Sequence, residues 1–206
     1  MAVMQNHTCT QTDESSVTGG ARPTVLIVPG LGNSSYDHWQ SAWERERSDC
    51  VRADLGDWDN PSPERWIARL ETIVSALPGK LVLVAHSLGC IATALWARTS
   101  ASHERIAGAL LVAPCDPEAI EAPDMLKCFA PIPRRPFPFP TTVVASVNDR
   151  YACLARSREI AESWGSQFVN IGAAGHINAQ SNLGPWQQGQ ELLDALLQGH
   201  QAGVRI

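Results

Sequence analysis

No pair of cysteines in this chain falls into a C-x-x-C spacing: the six, Cys9, Cys50, Cys90, Cys115, Cys128 and Cys153, are scattered. That excludes the usual zinc ligand patterns and a small disulfide framework, and it fits reduced thiols in the cytosol. Long apolar runs are missing too. No stretch approaches the ~18 residues a membrane-spanning helix needs, and residues 1–20 lack the basic start and apolar core of a secretory leader. The expected location is cytoplasmic, with no membrane partner. A surplus of basic charge is also absent: 16 Lys and Arg face 21 Asp and Glu, a net charge of −5. A nucleic-acid partner is therefore disfavoured.

What is present is an ordinary core-forming composition, 44% hydrophobic and 18% charged over 206 residues, enough for one domain. Residues 1–20 are polar and rich in Thr, Ser and Gln, and read as a disordered tail. The expected organisation is a single domain over 21–200 and a short tail over 201–206.

From Thr24 onward, short β-branched runs alternate with amphipathic stretches, the pattern of a parallel sheet with crossover helices. Strands are expected over Thr24–Val28, Cys50–Leu55, Leu81–Ala85, Ala107–Ala113, Thr141–Ser146 and Gln167–Ile171. Helices are expected near Asp37–Arg47, Pro63–Ala76, Leu88–Arg98, Tyr151–Trp164 and Pro185–Leu197, with a weaker one over Pro117–Cys128. Pro63 and Pro185 suit first-turn positions. The fold class is α/β, a three-layer α/β/α sandwich on a mostly parallel sheet of about six strands. Pro131–Pro140 must be extended, either as a stiff connector or as a polyproline ligand for a partner.

The informative junction is L-V-L-V-A-H-S-L-G-C-I-A, where a buried strand runs into Ser87 and a helix follows at once. Small residues flank the serine at both second neighbours, as a nucleophile elbow requires, because strand and helix backbones approach closely there. Ala85 stands where the G-x-S-x-G pattern has its first glycine. A serine nucleophile needs a histidine to take its proton and a carboxylate to orient that histidine. V-N-D-R-Y places Asp149 after one strand and G-A-A-G-H-I-N places His176 after the next, so chain order is serine, aspartate, histidine. Asp116, in L-V-A-P-C-D, also ends a strand and rivals Asp149. The Gly-rich turn I-V-P-G-L-G-N-S-S can present a backbone N–H to a developing oxyanion. Leu31 is the candidate, with Gly32 and Asn33 as alternatives and the Leu88 amide as second donor. Trp39, Trp43 and Trp66 read as core or groove-lining residues, and Trp186 as flanking the site or docking the last helix. Cys90, Cys115 and Cys153 read as inert thiols.

These residues together, V-P-G-L-G-N-S with D-H-W-Q, A-H-S-L-G, V-N-D and G-H-I-N, resemble the small serine hydrolases related to retinoblastoma-binding protein 9 and bacterial YdeN-like proteins. The resemblance spans Thr24 to Leu197. It implies an α/β-hydrolase fold without a large lid, a triad at Ser87, Asp149 and His176, and esterase-like activity. Independently, only 27 positions separate the strand ending at Ala113 from that starting at Thr141, leaving no room for a cap domain. The expected activity is hydrolysis of a small carboxylic ester, or a thioester or amide, through an acyl-enzyme, with no metal or organic cofactor. The alternatives are a weakly catalytic protein-interaction module on the same fold, and acyl transfer to an acceptor other than water.

Overall fold

The computed structural model describes residues 22–202, and for residues 200–202 the backbone alone. The expected tail over 1–20 and most of that over 201–206 lie outside the described residues. Six strands, β1 (Thr24–Val28), β2 (Cys50–Arg52), β3 (Leu81–His86), β4 (Ile106–Val112), β5 (Thr141–Ala145) and β6 (Gln167–Asn170), form one sheet in the order β2-β1-β3-β4-β5-β6. Every pairing is parallel. Because β2 lies on one side of β1 and β3 on the other, the direction of winding reverses between β1 and β3. The crevice at their carboxyl ends is where sheets of this kind bind ligands.

The helices are α1 (Trp39–Glu46), α2 (Pro63–Ala76), α3 (Leu88–Ala97), α4 (Asp124–Lys127), α5 (Leu154–Ser163) and α6 (Gln187–Ala202). Strand side chains alternate between faces, so Leu26, Leu83, Ala85 and Leu111 pack against α2, α3 and α5. Val25, Ile27, Val84 and Val112 pack against α1 and α6. Burial on both faces explains the continuously apolar reading of β1, β3 and β4. Ala85 is fully buried on the α3 face, where its methyl is part of the core.

Boundaries differ from expectation where side chains divert the backbone. β2 stops at Arg52 because Asp54 accepts from Gly56 N–H at 2.9 Å and Gly56 has φ +73°, a turn in place of continued strand. The helix expected from Pro185 starts at Gln187, since Trp186 takes φ +40° and leaves Pro185 outside. It also runs to Ala202, into the expected tail. The weak helix over Pro117–Cys128 shrinks to α4 behind Pro123. The proline segment after it is a docked connector: Trp164 Nε1–H donates to the Pro133 carbonyl at 2.7 Å, and Ile132 and Phe139 are buried.

Candidate active site

At the end of β3 the chain turns through Ser87 with φ +54° and ψ −122°, a conformation costing a non-glycine residue about 1–3 kcal/mol. Surrounding bonds hold it. Ser87 N–H donates to Val112 O on β4 at 3.0 Å, and Cys90 N–H returns to Ser87 O at 3.0 Å as α3 begins. The glycines are required by contact. A Cβ on Gly89 would lie 2.5 Å from the Pro29 carbonyl oxygen and closer still to that of Val28, and one on Gly30 would lie 2.9 Å from the Ser87 Cβ. The turn after β1 and the elbow after β3 are thus in backbone contact across the sheet's switch point.

His176, on the loop after β6, has Nε2 2.9 Å from Ser87 Oγ and Nδ1 2.8 and 3.0 Å from the two carboxylate oxygens of Asp149. The side chains of His176 and Asp149 are 8% and 3% exposed, so little water competes for these bonds. A carboxylate can only accept, which places the hydrogen on Nδ1 and turns the Nε2 lone pair toward the serine hydroxyl. Asp149 is itself fixed by Tyr151 N–H at 2.8 Å, and the Tyr151 ring covers the imidazole at 4.4 Å between centroids. Asp116 does not reach His176. Its carboxylate is engaged by Arg156 at 2.9 and 3.1 Å and by Glu118 N–H at 3.0 Å.

The loops that carry Asp149 and His176 are joined at the end of β5 by the buried Ser146 and the exposed Asn148. Ser146 Oγ accepts from Ala174 N–H at 2.9 Å and donates to Asn148 Oδ1 at 2.8 Å, and that oxygen accepts from Gly175 N–H at 2.8 Å. Sequence inspection passed over Ser146 and Asn148, although polar residues at the carboxyl end of an apolar strand were a usable signal.

The three candidate amides after β1 differ in their commitments. Gly32 N–H donates to Trp58 O at 2.9 Å and Asn33 N–H to Gly30 O at 3.1 Å. The Leu31 and Leu88 amides have no acceptor among the described residues, and a Cβ on Gly30 would lie 3.1 Å from Leu88 N. Between these loops lies a cavity of about 320 Å³. Leu31, Leu126 and Tyr151 make its apolar side, while Asn33, His38 and Asn178 make a polar one. Leu126 comes from α4, the one element of the 114–140 segment that reaches the site.

Burial keeps two further titratable neighbours, His38 and Cys115, neutral. Burial, with Arg52 and His176 nearby, lowers His38 to about 3, and its Nδ1 accepts from Gln40 N–H at 3.1 Å as the cap of α1. Burial raises the Cys115 thiol to about 12. Trp39, Trp43 and Trp66 are core residues. Trp186 is buried too and packs 4.9 Å from Trp39, docking α6 without lining the cavity. Among the described residues, no three His, Cys, Asp or Glu side chains converge as metal ligands, and no helix is long and apolar enough to cross a membrane.

A sequence model of the family described as Serine hydrolase matches residues 25–195. A solved YdeN-like hydrolase from Pectobacterium atrosepticum is 33% identical, covers 87% of this chain and 92% of its own, and superposes with a TM-score of 0.77. The hydrolase YdeN of Bacillus subtilis (strain 168) is 33% identical over 93 residues, 43% of this chain and about half (48%) of YdeN's length. The structure of B. subtilis YdeN superposes with a TM-score of 0.71 at 20% identity, covering 86% of this chain and 100% of its own.

Proposed function

This chain belongs to the serine hydrolase family, and on that premise we propose that it hydrolyses small carboxylic esters through an acyl-enzyme on Ser87. The observation that carries this reading is the unbroken hydrogen-bonded path from Ser87 Oγ through the His176 imidazole to the Asp149 carboxylate, with links of 2.9 and 2.8 Å. His176 Nε2 takes the hydroxyl proton as Ser87 Oγ attacks the scissile carbonyl. Asp149 keeps Nδ1–H directed and stabilises the imidazolium that forms. The Leu31 and Leu88 amides, both without acceptors, receive the oxyanion, helped by the amino-terminal end of α3. His176 then returns the proton to the leaving alkoxide, and water, deprotonated by the same nitrogen, releases the acid.

The cavity of about 320 Å³ suits a short acyl or alkoxy group. A thioester or an activated amide would react through the same steps. The machinery would sit in one unit built on residues 21–200.

The test is labelling with a fluorophosphonate probe, read by intact mass, on wild type, Ser87→Ala and His176→Ala. One adduct on wild type, absent from both variants, together with loss of p-nitrophenyl acetate hydrolysis by about 10⁴-fold or more in each, is the expected result. Folded wild type that takes no adduct overturns the reading.

A further inference from the structure

We infer that His86, the residue before the nucleophile, is a positioning residue for the base, acting with Trp39 to hold the strained turn that aims the His176 imidazole. The inference rests on the proposed role of His176 as general base.

Ile177, which follows His176, has φ +48°. A β-branched residue there is a genuine outlier, and such a conformation persists only where its surroundings over-determine it. Here both peptide planes that flank Ile177 are pinned from the core. The plane before it is held twice: His86 Nε2 lies 2.9 Å from the His176 carbonyl oxygen, and Ile177 N–H donates to Ala174 O at 3.1 Å. A carbonyl oxygen only accepts, so His86 Nε2 carries the hydrogen and donates. The plane after Ile177 is held by Trp39 Nε1–H, which donates to the Ile177 carbonyl at 2.8 Å. Since φ and ψ are rotations between just these planes, fixing both carbonyls fixes Ile177, and the first plane also anchors the Cα of His176 from which the imidazole projects.

The donor is well placed to be permanent. His86 is 6% exposed, its ring centroid 4.9 Å from that of His176 and 4.8 Å from that of His38. Burial, reinforced by His176 and His38, holds it well below the ordinary 6.5 and so neutral. A neutral ring also places no positive charge against the imidazolium that forms on His176 in the reaction. Because His86 is covalently joined to Ser87, one short segment both presents the nucleophile and registers the base against it.

The variants are His86→Phe, which keeps the ring's bulk without the donor, His86→Gln, whose amide N–H can reach the same carbonyl, and Trp39→Phe. Each is checked for a cooperative melt, then compared with wild type for kcat and KM on p-nitrophenyl acetate and for the rate of fluorophosphonate labelling of Ser87. In His86→Phe, kcat and the labelling rate should fall together by about 10- to 100-fold, the scale of a displaced catalytic group, with KM within about threefold. His86→Gln should recover most of that loss, and Trp39→Phe should fall in the same direction by about threefold or more. Folded His86→Phe with wild-type kcat and labelling overturns the inference, as does folded His86→Gln impaired as severely as His86→Phe. Should His86→Phe not fold, Trp39→Phe decides by the same two rates. A wild-type protein that takes no label defeats the hydrolase reading itself, and the inference with it.

Discussion

The proposed nucleophile, Ser87, and the proposed base, His176, reach the same cavity by unlike routes. Ser87 is placed by one continuous segment, the buried strand β3, a single strained residue and the helix α3, with contacts mostly near in sequence or between adjacent strands. His176 follows β6, a short strand half-exposed at the sheet's edge, and its loop is held by bonds to Asp149, Ser146, Asn148, His86 and Trp39, the last meeting Ile177 from 138 positions away. The difference teaches that a reactive group can be positioned by local covalent geometry or by distant donors and acceptors. Only the second route depends on a polar network at the end of the sheet.

The largest effect expected on the base's route is from Asp149→Asn, which leaves the imidazole without a fixed tautomer and should lower kcat by about 10³- to 10⁴-fold. Asp116→Asn should leave kcat within about twofold while costing about 1–3 kcal/mol in urea unfolding, because Arg156 loses the charge of one of its three carboxylate partners. Equal losses of kcat in the two would erase the distinction between them.

On the nucleophile's route, Gly89→Ala forces a methyl into the Val28 and Pro29 carbonyls. It should cost about 3 kcal/mol or more, in the upper range for overpacking, and slow probe labelling as the elbow moves. A melting temperature equal to wild type would show that the close approach is not needed.

The two buried histidines between the routes make stability depend on acid. His38, lowered to about 3, and His86, also lowered, stay neutral when folded, whereas the unfolded chain protonates near 6.5. Stability is therefore whole above pH 6.5 and is lost as pH falls below it, by about 1.4 kcal/mol per pH unit for each histidine. Denaturant titrations from pH 7.5 to 5 should show this slope. His38→Asn, whose side-chain oxygen can still cap α1, should remove about half of it.

The smallest effect is expected from Ser146→Ala, which leaves Ala174 N–H without its acceptor inside the base's loop. About 1–2 kcal/mol of stability and a severalfold loss of kcat are expected, with KM unchanged. A loss of KM alone would move Ser146 from the base's support to the substrate's.

Much of the fold was legible because its signals are local. β1 and α2 match their expected bounds to the residue, since a β-branched run and a Ser62-capped, Pro63-started amphipathic repeat declare themselves without partners. Element boundaries were harder: β2 and α6 depart where Asp54 and Trp186 turn the backbone, events set by one side chain's bond or by one tryptophan's packing. At the site, residue type and chain order narrowed the acid to Asp149 or Asp116. Which of them approaches the imidazole depended on Arg156, 40 residues beyond Asp116, claiming the other carboxylate. The choice among the Leu31, Gly32 and Asn33 amides likewise turned on Trp58 and Gly30 offering carbonyls to the last two.

By itself, then, the sequence determined the parallel α/β architecture and the kinds of group at each strand's end, because periodicity, glycine and serine placement and chain order act over a few residues. Only the tertiary structure decided which amide stays free, which carboxylate meets His176, and that a histidine and a tryptophan grip the turn beside it. Those outcomes depend on hydrogen bonds between segments tens of residues apart, and a lone donor or acceptor in a sequence carries no mark of the partner that folding will bring to it.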